Sequence, residues 1–367
     1  MNNSGIIIIL YAKEVRTIKH TLESIAKLAG VSRGTVSRVV NNQPGVNEDV
    51  RKKVEKIIEE TGYRPNPQAR VLAGGTTNNI GVIVFANNPH YLFHHLFYEV
   101  LQGIQSHSTF NEYDLLLFAN RHGKDINYWK RIADVRKIDG LIIMGEYIRE
   151  EYLRYYRKND LPFVLVGKRN IDDLPLQCVT SDYRKGARDV TTHLIKQGRR
   201  DILFIRGIPN SYHEAEKLAG YKEALSEAGI SFRPDYIVEG NAEREVANRH
   251  INELLKQHHV PFFDGIFAGN DLMAFGAIDA LKEHGYAVPA DVSIAGYDDI
   301  QQAATFNPPL TTVRQHKREL GSNASKLLVK LLKEKNKMSE ETIIVDNELV
   351  IRDSSVVKKA LGASSEG

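Results

Sequence analysis

Several absences narrow what this chain can be. It has one cysteine in 367 residues, Cys178, so no disulfide can close within it, which fits a reducing compartment such as the cytoplasm. No apolar run reaches membrane-spanning length; Ile6-Ile7-Ile8-Ile9-Leu10 is too short, and no cleavage site of small residues follows it. There is no glycine-rich phosphate loop, no nucleophile elbow and no metal-spaced ligand cluster. An enzyme is therefore not expected, nor a cofactor or metal. The pair His94-His95 lacks the further ligands a metal would need. After Ser355 the chain is short and polar, with Lys358 and Lys359 and no leucine heptads, which argues against a coiled-coil tetramer.

What is present begins with LESIAKLAGVSRGTVSRVVN at 22–41, two short amphipathic runs joined by Ala29-Gly30-Val31-Ser32. Thr21 is placed to cap a helix holding Leu22, Ile25, Ala26 and Leu28. Gly30 falls where a tight turn wants a positive φ, and Ser32 can cap a second helix with Val36, Val39 and Val40 on its apolar side. A small Ala26 lets the helices approach, and the other side of the second helix carries Arg33, Thr35, Ser37, Arg38 and Asn41. Such side chains reach base edges and phosphates, so the pattern reads as a helix-turn-helix for the DNA major groove. A plain helical hairpin with a polar face is the blander reading. A third helix is expected from Asn47, with Glu48 and Asp49 in its first turn, Val50, Val54, Ile57 and Ile58 as its buried stripe, and its end at Thr61-Gly62. Two prolines, Pro65 and Pro67, then precede a helical turn or two that would be marginal alone.

Charge follows the same division. Residues 19–75 hold ten Lys/Arg and six Asp/Glu, a net of +4, against +3 for the whole chain. Positive charge is thus concentrated where phosphate attraction needs it.

From Ile80 the texture changes. Apolar runs at 80–85, 114–118, 140–145, 163–167, 201–205, 265–269 and 293–297 alternate with amphipathic stretches at 123–137, 186–198, 214–229, 244–258 and 271–285. That alternation implies parallel sheets flanked by helices, in two lobes because one sheet would be very large. Ligands in such folds bind beyond the carboxyl ends of strands, where Asn87, Asn88, Lys168, Arg169, Asn270, Asp271, Asp298 and Asp299 fall.

The order of motifs resembles the lactose-repressor/galactose-repressor family of bacterial transcription factors. The resemblance runs from 21 to about 356 and rests on SIAKLAGVSRGTVSRVVN, YRPNPQARVLAGGTTNNIGVI, HLIKQGRRDI, LAGYKEAL, AGNDLMAFGAIDALKEHG, PADVSIAGYDDI, NPPLTTVRQ and LVIRDSS. It implies an all-α helix-turn-helix headpiece at 21–65, a hinge helix and linker at 66–77, and an α/β two-lobed periplasmic-binding-protein-like core at 78–356. Lobe 1 is expected at about 78–178 and 317–340, lobe 2 at about 179–316 and 341–356, with a tail at 357–367. Residues 1–20 precede the family's usual start, either as an extra strand-like tail or because initiation lies further on, with Val15 near an alternative start codon.

The resemblance also implies partners. They are a pseudo-palindromic double-stranded operator, a second copy of the chain, and a small effector, in most members a sugar, between the lobes; no membrane is implied. A single headpiece reads only a few base pairs, which by itself argues for a homodimer. Carried over by motif, Ser32, Arg33, Thr35, Ser37, Arg38, Asn41 and Tyr63 fall on the DNA side. Gly34 has no side chain, so Arg33 should carry most of the base reading, bidentate to a guanine. Asn66, Ala69 and Leu72 match the hinge helix, where Leu72 resembles an apolar minor-groove wedge rather than a core leucine.

On the effector side the match gives Phe97, Lys168, Lys217, Asn270, Asp298 and Gln315. A carboxylate such as Asp298 suits vicinal hydroxyls because its oxygens accept two donors. Asp298, Asn270 and Gln315 could each instead be a structural turn residue, and Asp271 is expected to cap the following helix. Two departures stand out. Lys217 occupies the position where the family usually has arginine, a point donor in place of a planar fork. The stretch 239–243, EGNAE, lacks the usual aromatic platform, leaving Tyr91, Phe93 and Phe97 in the first lobe. Val166-Gly167-Lys168 is similar to the maltose-type branch of the family, a pointer to an oligosaccharide. A ligand-controlled repressor of carbohydrate-utilisation genes is the expected function; a transport or sensing protein would leave the headpiece unexplained.

Overall fold

The computed structural model describes residues 20–64, 75–85, 95–118, 126–134, 137–145, 148–169, 171–209, 211–258, 261–334 and 339–356. It divides into two units, Met1–Thr77 and Asn78–Gly367.

The first unit holds α1 (Leu22–Ala29), α2 (Arg33–Val40) and α3 (Glu48–Thr61). Local chemistry sets each boundary. Thr21 and Ser24 form a reciprocal capping box: Thr21 Oγ1 accepts from the Ser24 amide at 3.2 Å and Ser24 Oγ from the Thr21 amide at 2.8 Å. Gly30 closes α1 at φ +68°, a left-handed conformation that costs a glycine nothing. Ser32 Oγ accepts from the Thr35 amide at 3.1 Å, and Asn47 Oδ1 from the Asp49 amide at 2.8 Å. Ile25, Ala26, Ala29, Val36, Val39, Val54 and Tyr63 make the buried centre, with Val50, Ile57 and Ile58 against it. Leu28, grouped above with the apolar residues of α1, is 55% exposed, because it lies off the stripe that Ile25 and Ala29 define.

The second unit contains two parallel sheets. The first comprises β1 (Asn79–Val84), β2 (Asp114–Phe118), β3 (Gly140–Met144), β4 (Phe163–Val166), β5 (Gln177–Ser181) and β11 (Glu341–Val345), in the order β11-β5-β4-β3-β1-β2. The second comprises β6 (Ile202–Arg206), β7 (Ile237–Glu239), β8 (Gly265–Ala268) and β9 (Ser293–Ala295), in the order β7-β6-β8-β9. A separate antiparallel ribbon joins β10 (Thr312–Gln315) to β12 (Asn347–Val350).

Parallel strands need crossovers, and the helices that supply them bury both faces of each sheet. On the first sheet α4 (His95–Phe110) and α11 (Lys317–Glu334) share a core with Ile80, Val82 and Val164, while α5 (Ile126–Asp134) and α6 (Glu150–Lys158) pack Trp129, Tyr152 and Tyr156 against the other face. On the second, α7 (Tyr183–Lys196) and α8 (Tyr212–Glu227) lie on one face, α9 (Arg244–His258) and α10 (Asp271–Glu283) on the other.

Two boundaries differ from the division drawn from the sequence. β5 runs to Ser181 and pairs in parallel with β11 from Gln177↔Glu341 to Ser181↔Val345, so the first sheet takes in residues beyond 178 and beyond 340. The reason is compositional: QCVTS carries too little apolar character to read as a buried strand, yet all five of its residues are buried. The chain therefore crosses between the sheets near 182, 316 and 346.

Candidate functional site

In the headpiece, α2 presents a polar face over an apolar floor. Val36 and Val39 face inward, while Ser32, Arg33, Arg38 and Asn41 are exposed and Thr35 and Ser37 half-buried. Ser32 spends its oxygen on the helix start, accepting from the Thr35 amide and lying 2.9 Å from Thr35 Oγ1. The Asn41 amide donates to the Ser37 carbonyl at 2.9 Å. Arg33 Nε sits 3.2 Å from Glu23 Oε1 on α1, with the two side chains 68% and 59% exposed. Tyr63, placed with the DNA-side residues above, is only 9% exposed; burial raises its phenol, Glu23 adds to the rise and Arg33 opposes it. Its ring is thus part of the headpiece centre, beside the Glu23–Arg33 pair. Asn66, Ala69 and Leu72 lie outside the described residues, as do Tyr91, Phe93 and His94.

In the core, a cavity of about 640 Å³ opens at the carboxyl ends of both sheets. Its walls come from the strand ends at Phe85, Gly145, Lys168, Ser181, Gly207, Gly269 and Gln315. All six residues expected on the effector side, Phe97, Lys168, Lys217, Asn270, Asp298 and Gln315, line it.

Their side chains are not equally available. Asn270 caps α10, Oδ1 accepting from the Met273 amide at 2.8 Å and Nδ2 donating to the Ala242 carbonyl at 3.2 Å. Asp271, expected to be the cap, is instead the first helical residue, because Asn270 has the extended backbone a cap requires, φ −152° and ψ 168°. The Asp271 carboxylate is fully buried, accepting from the Thr312 hydroxyl at 2.5 Å and the Ile300 amide at 2.8 Å. Burial, then the Asp298 charge, pushes its carboxyl well above the usual range.

Asp298 is the most constrained residue at the cavity. Its φ is +113°, which a non-glycine residue holds only when its surroundings over-determine it. They do: its amide donates to the Val313 carbonyl at 2.8 Å, its carbonyl accepts from Lys317 Nζ at 2.7 Å, and Oδ1 accepts from Gln315 Nε2 at 2.6 Å. Gln315 Oε1 is buried without a hydrogen-bond partner among the described residues. An acceptor in that state costs about 1–3 kcal/mol until a donor reaches it.

Lys217 is tied down. Nζ donates to Glu214 Oε1 at 2.8 Å and the Gly269 carbonyl at 2.7 Å, and lies 4.7 Å from the centre of the Tyr297 ring. His213, next to this pair, lies 5.4 Å ring to ring from Tyr183; burial, then Lys217 and Arg169, hold its imidazole well below the ordinary value and so uncharged. Lys168 Nζ is 5.8 Å from the Tyr212 ring centre.

Sequence reasoning missed the aromatic and acidic part of these walls. Tyr183, Tyr212 and His213 open α7 and α8 and line the cavity, so aromatic surface comes from two helix starts in place of the stretch 239–243. Tyr183 follows β5 directly, and recognising that strand would have exposed it. Nothing in the local pattern marks Glu214.

Comparison with known proteins accounts for both units. Residues 21–66 match the description "Bacterial regulatory proteins, lacI family", and residues 191–355 match a periplasmic binding protein-like domain. The HTH-type transcriptional repressor PurR of Aliivibrio fischeri (strain MJ11) is 32% identical over 92% of this chain and 99% of its own length. The lac repressor dimer bound to operator and the anti-inducer ONPF is 27% identical with a TM-score of 0.74, covering 92% of this chain and 99% of that one. The transcriptional regulator CelR in complex with cellobiose is 28% identical with a TM-score of 0.69, covering 91% and 99%.

Proposed function

The chain belongs to the lacI family of bacterial regulatory proteins and is a DNA-binding transcriptional regulator, not an enzyme, and from that premise we propose that it represses carbohydrate-utilisation genes under control of a sugar bound in the core cavity. The observation that carries the sugar is the acceptor pair at Asp298 and Gln315. The Asp298 carboxylate, on a residue whose backbone is held at both its amide and its carbonyl and whose Oδ1 accepts from Gln315, stands beside an amide oxygen still lacking a donor. Two adjacent acceptors call for a ligand with adjacent hydroxyls. Tyr183 and Tyr212 on the walls offer faces on which a pyranose ring can lie. The CelR–cellobiose complex, a neighbour of the same fold, supports a carbohydrate ligand.

The protein acts in the cytoplasm as a homodimer on a pseudo-palindromic operator, a reading supported by the likeness to the lac repressor dimer on its operator. Arg33 reads a base edge, and Ser32, Thr35, Ser37, Arg38 and Asn41 hold phosphates or neighbouring edges. Asn66, Ala69 and Leu72 serve the hinge.

Effector and operator are linked: a sugar that favours one arrangement of the core changes operator affinity by the factor with which the operator changes sugar affinity. A thermal-shift screen against sugars and nucleobases, repeated with operator DNA, tests the proposal. A protecting sugar that weakens operator binding is an inducer, and one that strengthens it a co-repressor. Protection by nucleobases alone would overturn the sugar.

A further inference from the structure

We propose that Glu214 sets the charge class of the effector group that meets the second lobe's wall. By holding Lys217 in a buried ion pair it leaves that wall without an available cation, so the group seated there is an uncharged hydroxyl and not a phosphate or carboxylate, while Lys168 and Arg169 stand on the first lobe's wall. The inference rests on the reading of the cavity as an effector site.

The Lys217 ammonium makes two hydrogen bonds and lies near an aromatic ring. Glu214 Oε1 accepts from it at 2.8 Å and the Gly269 carbonyl at 2.7 Å, and the Tyr297 ring centre is 4.7 Å away. Both side chains of the pair are 5% exposed. Glu214 is anchored in turn: Oε2 accepts from the Gly207 amide at 2.7 Å. The cradle is cut to fit it, since a Cβ on Gly207 would come within 3.2 Å of its carboxyl carbon and one on Gly269 within 3.1 Å of Oε2.

The rest of that wall agrees. Arg244 is held by Asp279, Nε at 2.8 Å and a terminal nitrogen at 2.6 Å. His213 stays neutral among its cationic neighbours. The carboxylates of Asp298, Glu243 and Glu245 also line the cavity. An anion brought to Lys217 would meet a cation already neutralised, with Glu214 beside it, and would lose its hydration for little attraction. Hydroxyl groups meet no such penalty.

The experiment needs no knowledge of the natural effector. Inorganic phosphate and gluconate are titrated against the full chain at constant ionic strength, with binding read by calorimetry and thermal shift. Whatever affinity wild type shows for either anion should be unchanged in Lys217→Met, because Lys217 takes no part in it. Glu214→Gln keeps the shape and removes the charge, and should bind either anion at least tenfold more tightly; adding Lys217→Met should abolish the gain. Glu214→Ala serves as a second variant should Glu214→Gln fail to fold. A wild-type anion affinity that falls in Lys217→Met, no gain in either Glu214 variant, or a gain that survives Lys217→Met would each overturn the assignment. The effector reading itself fails on different grounds, if no small molecule alters operator binding.

Discussion

On α2, Arg33 is two-thirds exposed and its partner Glu23 is nearly as open to water; in the core, Lys217 and Glu214 make their pair at 5% exposure each. Both contacts join a cation to a carboxylate at about hydrogen-bond distance, yet they do different work. An exposed pair contributes about 0–1 kcal/mol and can be traded for a phosphate or a guanine with little loss. A buried pair cannot be opened without leaving a charge stranded in a poorly polarisable surround. The headpiece keeps the Arg33–Glu23 pair in water, whereas the core cavity commits Lys217 and Glu214 to each other out of it.

The largest test of that contrast is Lys217→Met. Removing one partner of the buried pair should cost about 3–5 kcal/mol of core stability in urea unfolding. Glu214→Met together with Lys217→Met should recover most of it, since a well-packed apolar pair often replaces a buried ion pair without loss. A cost below about 1 kcal/mol for the single variant would place the pair in the same class as Arg33–Glu23 and break the comparison.

Next in size is Arg33→Ala. It should remove about 1–3 kcal/mol of discrimination at one base position of each half-site, while leaving the unfolding transition where it was. Arg38→Ala should weaken binding to all sequences alike and lower the salt slope by about 1. Equal losses across sequences for Arg33→Ala would make it a phosphate contact.

The same contrast explains what could be read from the sequence. The headpiece is built from contacts at separations of three to five residues: Thr21 with Ser24, Ser32 with Thr35, Gly30 closing on Ala26 and Lys27. Such chemistry is written in adjacent letters, and the caps and turn at Thr21, Gly30, Ser32 and Asn47 all stand where the sequence puts them. The alternation of strands and helices was legible because seven of the strands lie along apolar runs. β5, β7, β10, β11 and β12 were not, being short or mixed in polarity, and all five pair with strands more than thirty residues away. At the cleft, motif matching named side chains that line the cavity but not their commitments. That Asn270 caps α10 while Asp271 reaches Thr312, forty-one residues on, follows from backbone angles no pattern displays. The role of Glu214 depends on Gly207 and Gly269 leaving it room, a relation visible only in three dimensions.

A smaller effect should appear on acidification. His213 and His193 are both held below the ordinary imidazole value of 6.5, chiefly by burial, His213 further by Lys217 and Arg169 and His193 by Lys196. Below pH 6.5 the unfolded chain binds protons that the folded core refuses, so stability is full above that point and falls as pH drops toward the folded values. Asp271 works the other way: its raised carboxyl keeps a proton that the unfolded chain releases near 3.8, so its contribution is present at low pH and declines as pH rises. Between pH 7 and 5 the histidines lower core stability while Asp271 opposes them, so the test is the difference: relative to wild type, His213→Gln should lose less stability on acidification. An unchanged slope would mean that water reaches His213 and that the cleft is less closed around it than its neighbours indicate.

The smallest expected change is the most direct test of the headpiece side. Glu23→Gln removes the carboxylate 3.2 Å from Arg33 Nε without changing its shape. Headpiece stability should move by less than about 1 kcal/mol, since the pair is solvated and screened. Affinity for DNA should rise modestly at low salt, because a negative charge has left the face that meets phosphates and Arg33 no longer exchanges one partner for another on binding. A double-mutant cycle between Glu23→Gln and Arg33→Ala isolates the pairwise coupling. If the coupling in free protein exceeds about 1 kcal/mol, Arg33 is held as firmly as Lys217, and the headpiece would have to break a bond to read a base. A coupling near zero leaves Arg33 free to follow the DNA, as an exposed side chain on the open face of α2 should.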